Sequence, residues 1–62
     1  MYSIGDKLAL KTGNNNSVYS IYKIISNVGT GRIDYFLMNI KSNFNRIDYI
    51  SKDILKILFK KI

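Results

Sequence analysis

The stretch Phe44-Asn45-Arg46-Ile47-Asp48-Tyr49-Ile50-Ser51-Lys52-Asp53-Ile54-Leu55-Lys56-Ile57-Leu58-Phe59-Lys60-Lys61-Ile62 decides the fold of this 62-residue chain. It reads as a strand over Arg46–Ser51, a polar break at Ser51-Lys52-Asp53, and an apolar run Ile54–Phe59. As a strand, that run sets Leu55, Ile57 and Phe59 on one face with Lys56 and Lys60 opposite. As a helix, it sets Lys52, Lys56 and Lys60 on one side and Ile54, Leu55, Leu58 and Ile62 on the other. Ser51 then serves as N-cap, and Asp53 suits the first turn. Periodicity does not separate the two. The expectation taken forward is an all-β chain: a five-stranded small barrel closed by a short 3₁₀ turn at Lys52–Leu55 and a last strand. The alternative is a four-stranded antiparallel meander with a C-terminal amphipathic helix.

The preceding sequence supplies the other strands. In Lys7-Leu8-Ala9-Leu10-Lys11 the leucines point one way and the lysines the other, the pattern of a half-buried strand. Thr12–Ser17 is a polar turn cluster rich in Asn and Gly. Val18–Val28 is a long β-rich run with apolar residues on both faces, and Gly29-Thr30-Gly31 signals a hairpin. The next run, Ile33–Lys41, changes phase. Ile33 and Tyr35 share a face at its start, whereas Phe36, Met38 and Ile40 form the apolar set later. A bend or bulge near Tyr35-Phe36 reconciles them. The tetrapeptide Arg-Ile-Asp-Tyr occurs at 32–35 and again at 46–49. It fits either twin Arg/Tyr contact points or a repeated solvent-and-core alternation.

Size and composition bound the rest. A chain this short buries about 60% of its unfolded surface, so barrel closure is the economical route to a core. With no Cys and no His, disulfides and ordinary zinc sites are excluded. Apolar residues make up 47% of the chain, too many for a disordered segment. Eleven isoleucines against a single alanine favour strands. The whole sequence reads as one domain. No run approaches the roughly 20 apolar residues of a transmembrane helix, and the start lacks the pattern of a signal peptide, so a cytoplasmic protein is expected. The abundance of Ile, Lys, Asn and Tyr resembles translation of an AT-rich genome, such as a low-GC bacterium or its phages and mobile elements. The net charge of +6 fits a nucleic-acid partner, and it equally fits codon bias.

The order of elements resembles the SH3-like small β-barrels of bacterial and phage proteins. Gly5-Asp6-Lys7-Leu8 is similar to their "GDKV" opening, and Tyr49-Ile50-Ser51-Lys52-Asp53-Ile54-Leu55 to their strand–turn–strand ending. The resemblance implies a binding module, since such barrels include KOW-type, Tudor-type and chromatin modules that bind nucleic acids, and others that bind proteins. The Trp and acidic loop of a proline-peptide-binding SH3 domain are missing, so that activity is not implied. Fold analogy of this kind fixes no function.

Catalysis is not expected. There is no His or Glu for acid–base work, and the serines at 17, 20 and 26 have no histidine to activate them. Neither a metal cluster nor a phosphate-binding glycine fingerprint is present, so no cofactor is expected. Five tyrosines and three phenylalanines among ten basic residues suit DNA or RNA, with rings stacking bases and cations neutralising phosphates. The candidate nucleic-acid-binding residues are Tyr19, Tyr22, Tyr35 and Arg32 around the Gly29–Gly31 hairpin, with Lys7, Lys11, Lys23 and Lys41 for the backbone. Two other classes stand beside this one. A protein partner or a homodimer would use Ile21, Ile25 and Leu37, or Phe59 and Ile62. A membrane surface would require a cationic helix at Lys52–Ile62.

Overall fold

The structure, a computed structural model, describes residues 2–13, 17–42 and 44–62. Its elements are β1 (Lys7–Leu10), β2 (Val18–Asn27), β3 (Arg32–Asn39), β4 (Arg46–Ser51), α1 (Lys52–Leu58) and β5 (Phe59–Lys61). The five strands form one antiparallel sheet in the order β4-β3-β2-β1-β5. The first four make a meander, and β5 returns beside β1, pairing Leu10 with Phe59 and Leu8 with Lys61.

Local chemistry sets the turns. Before β1, the Asp6 carboxylate accepts from the Ser3 backbone N–H at 2.8 Å and pairs with Lys61 Nζ at 3.2 Å. These two donors, the Ser3 N–H first, hold the Asp6 pKa below its ordinary value and tie the N-terminal turn to β5. The β2–β3 hairpin closes on Asn27 and Arg32, as the glycines at 29 and 31 foretold. Gly31 takes φ +72°, a left-handed conformation that suits glycine, and its N–H donates to the Asn27 carbonyl at 2.8 Å. The polar cluster expected at Thr12–Ser17 lies partly outside the described residues.

Every element contributes to one core: Leu8, Ile21, Tyr35, Leu37, Ile50, Leu55 and Phe59. Leu10, Tyr19, Ile24, Ile33 and Ile47 pack around it. Ile21, Leu37 and Phe59, candidates for an interface with a partner, are thus core residues.

Two expectations are corrected. The first concerns the segment after β4, which forms an α-helix over Lys52–Leu58 and then a strand of only three residues. Ser51 caps the helix, its Oγ accepting from the Ile54 N–H at 3.4 Å, and Asp53 lies in the first turn. Leu55 and Phe59, four apart, are buried, while Ile57 is 64% exposed, so helical rather than alternating spacing sets what faces the core. The barrel does not close. A three-residue strand spans only about 10 Å, and among the described residues β5 pairs with β1 alone, leaving β4 and β5 as the sheet edges. No helix among the described residues is long and apolar enough to cross a membrane.

The second correction concerns the phase conflict in β3. The irregularity falls at Tyr35–Leu37, where a bend was expected, yet β3 itself keeps its alternation. Ile33, Tyr35 and Leu37 all point into the core, while Phe36 and Met38 point outward. The extra residues sit on the neighbours. Tyr22 is inserted in β2 between the pairs Ile21–Leu37 and Lys23–Phe36. On β4, Asp48 and Tyr49 together oppose Phe36, between the pairs Leu37–Ile47 and Tyr35–Ile50.

Candidate nucleic-acid interface

Residues directly opposite one another in a sheet share a face, so the register maps the side turned away from the core. One row runs Lys60, Ala9, Val18 and the next Lys7, Ser20, Met38, Arg46. A third holds Lys23 and Phe36 with the doubled Asp48 and Tyr49. Beyond them lie Ile25, Asp34, Ser51 and finally Asn27, Arg32. Lys60, Lys7, Lys23, Arg46 and Arg32 all stand on the outer face of the sheet, spread from β5 at one edge to β4 at the other. Of the two acids there, Asp34 is held by Arg32 Nε at 2.8 Å.

Phe36 is the centre of this face. It is 5% exposed although it stands outside the core cluster, because other side chains cover it. The Tyr49 ring meets it at 4.7 Å and the Tyr22 ring at 6.1 Å, both edge-on, and Lys23 Nζ sits 5.2 Å from its centroid. Phe36 is therefore a support, and Tyr49, at 65% exposure, is the ring offered to solvent. Tyr49 also carries the one positive φ of a non-glycine among the described residues, +60°. A β-bulge residue in that conformation is ordinarily glycine. The bulge has a further effect: neighbours on a regular strand point to opposite faces, but Asp48 and Tyr49 emerge on the same one.

The Tyr22 hydroxyl donates to Asp48 Oδ1 at 2.7 Å, pinning the carboxylate beside the rings. That hydrogen bond, with a smaller contribution from desolvation, raises the Tyr22 pKa above the ordinary tyrosine value, with Arg46 opposing. The bond exists only while Tyr22 is protonated. Its contribution to stability is complete below pH 10.0, the ordinary tyrosine value, and is lost as pH rises through the raised folded value. An ultraviolet titration of the folded protein should show Tyr22 ionising later than an ordinary tyrosine, and Asp48→Asn should remove that delay. An unchanged titration curve in the variant would mean the bond is absent in solution.

The residues singled out from the sequence fall in several places. Tyr22 and Lys23 are in the aromatic cluster, and Lys7 and Arg32 lie on the same face. Tyr19 points to the other side, its ring edge-on to Phe59 at 5.7 Å. Tyr35 is 4% exposed, in T-shaped contact with Tyr2 at 5.4 Å, so it has no ring face to offer a base. Its burial raises its pKa. Lys11 Nζ donates to the Lys56 carbonyl at 3.0 Å, bracing β1 against α1. Lys41 follows β3, its backbone N–H donating to the buried Asn39 Oδ1 at 2.9 Å. Sequence reasoning did not single out Phe36 or Asp48, and it raised Arg46 and Tyr49 only as one of two readings of the second Arg-Ile-Asp-Tyr copy. A separate cleft of about 310 Å³ lies at the hairpin end, lined by Gly31, Arg32, Ile33, Ser51, Lys52 and Asp53. Comparison of the chain with protein-family models, curated proteins and solved structures gives no match.

Proposed function

We propose that the protein is a small, basic, non-enzymatic module that binds single-stranded nucleic acid on its outer sheet face. The observation that carries this reading is the exposed Tyr49 ring, set edge-on against a Phe36 that also carries the Tyr22 ring and Lys23 Nζ, on a sheet face that bears Arg46 and Lys7 as well. Exposed aromatic rings stack on unpaired bases, and surrounding cations track the phosphates with little sequence preference along the strand. A duplex keeps its base faces hidden, so the stacking surface favours single strands. The finer fold assignment, an SH3-like scaffold, is supported by a four-strand meander whose fifth strand returns beside the first after a helical turn.

Fluorescence anisotropy with labelled single- and double-stranded DNA and RNA, across a salt series, tests the reading. Lys7, Lys23, Arg46 and Lys60 meeting four phosphates give an expected log–log slope of about −3 on single strands. Absence of binding at low salt would end the nucleic-acid reading, because a basic face of this kind binds polyanions there.

A second reading, a protein-interaction module, is favoured by a different surface. Ile54, Ile57 and Leu58 lie at i, i+3 and i+4 on α1 and are all exposed. Sedimentation of the isolated protein separates self-association through this helix from a monomer awaiting another partner.

A further inference from the structure

We propose that Asp48 reads the edge of the base stacked on Tyr49, giving the face a preference for guanine at that one position; this rests on the nucleic-acid reading above. The bulge opposite Phe36 sets a carboxylate and an exposed ring at consecutive positions on one face. Consecutive Cα atoms are about 3.8 Å apart. A base lying on the Tyr49 ring therefore brings its edge to the neighbouring carboxylate, an arrangement that a regular strand does not provide.

The carboxylate is fixed in place. Tyr22 donates to Oδ1 at 2.7 Å and occupies one of the roughly four acceptor positions that a carboxylate has, leaving Asp48 able to accept from a ligand. Its charge determines what it accepts. A carboxylate repels phosphate, so Asp48 faces the base rather than the strand's backbone. Ionised, it has no proton to give, so it selects donors. Guanine presents two adjacent donors on its Watson–Crick edge, N1–H and the exocyclic amine, spaced to meet the two oxygens of one carboxylate. Cytosine and adenine present an amine beside an acceptor nitrogen. Thymine and uracil present one N–H between two carbonyl oxygens, which a carboxylate repels. The expected order is guanine first, cytosine and adenine next, thymine and uracil last.

The test is anisotropy with labelled oligothymidylate decamers that are unsubstituted or carry one central deoxyguanosine or deoxyinosine. Inosine differs from guanine by the missing amine alone. The guanine decamer is expected to bind about tenfold more tightly than the inosine decamer, the worth of one good base-edge contact. Asp48→Asn is expected to abolish that difference while retaining salt-dependent binding to oligothymidylate. Equal affinity of the wild-type protein for the guanine and inosine decamers overturns the inference and leaves the nucleic-acid reading standing. Salt-insensitive or absent binding to every decamer overturns both. The guanine–inosine comparison uses the unaltered protein, so it decides the matter even where Asp48→Asn folds poorly by circular dichroism.

Discussion

Leu55→Ala is expected to remove at least about a third, and up to all, of the protein's stability. Leu55 is fully buried and is the residue by which α1 enters the core. Truncating a leucine at such a site costs about 3–5 kcal/mol, the lost burial plus the cavity left behind. A chain of this length has only about 3–9 kcal/mol in all, at 0.05–0.15 kcal/mol per residue. The damage spreads along the chain, because seven residues are too few for a helix to persist without packing. The Phe59 N–H, bonded to the Leu55 carbonyl, joins α1 to β5, so loosening the helix also weakens the pairing of β5 with β1. Urea unfolding followed by circular dichroism measures the effect. Ile57→Ala is the control: Ile57 is 64% exposed, and its loss should change stability by no more than about 0.5 kcal/mol. A last strand beginning after Leu55 would have buried Leu55, Ile57 and Phe59 together and made the two variants equally harmful. Comparable destabilisation by both would therefore overturn the helix.

That contrast also explains why the C-terminal segment is ambiguous as sequence. Ile54, Leu55, Ile57, Leu58 and Phe59 are so densely apolar that both a period of two and a period of 3.6 find a buried face. The cap decides: Ser51 and Asp53 start a helix, and the chain then has only Phe59–Lys61 left for the sheet. For β1, the β2–β3 hairpin and β4 the local signals were sufficient. Alternating Leu8 and Leu10 mark β1, Gly31 marks the hairpin, and β4 occupies Arg46–Ser51 as its pattern suggests. The candidate site was far less legible. Tyr22 and Lys23 were identified as suitable residue types, but membership of the outer face depends on two insertions in the register, which are tertiary events. The two Arg-Ile-Asp-Tyr copies make the point. At 32–35 the tetrapeptide is a regular strand with Arg32 and Asp34 outward and Ile33 and Tyr35 inward. At 46–49 the same residues bulge opposite Phe36, and the tyrosine turns outward. Identical local sequence gave two conformations, so no reading of the tetrapeptide alone could separate the buried ring from the offered one.

Tyr49→Gly is expected to weaken single-strand binding by about 10- to 100-fold, the worth of one stacked base, while leaving the fold close to its original stability. The two effects have separate causes. A bulky residue held in the left-handed region costs about 1–3 kcal/mol, which glycine avoids. Against that gain stands the lost edge-on contact with Phe36, worth about 0.5–1.5 kcal/mol, and some uncovering of the Phe36 ring. These nearly offset, so thermal unfolding should shift little in either direction, whereas anisotropy should record a large loss of affinity. Tyr49→Phe supplies the complementary case, keeping the ring and the strain and therefore most of the binding. A glycine variant that binds like the parent would show that Tyr49 touches no base and would remove the observation on which the proposed function stands. A glycine variant that unfolds would show that the ring's packing on Phe36 outweighs the backbone strain, making Tyr49 a structural cover for Phe36; Tyr49→Leu, which keeps an apolar cover without a ring to stack, would then carry the binding comparison. The cover that Tyr49 gives Phe36 offsets the strain without exceeding it, so a left-handed tyrosine here brings the fold little that glycine would not. The association of that strain with the ring offered to solvent ties the backbone irregularity of β4 to the proposed function of the face.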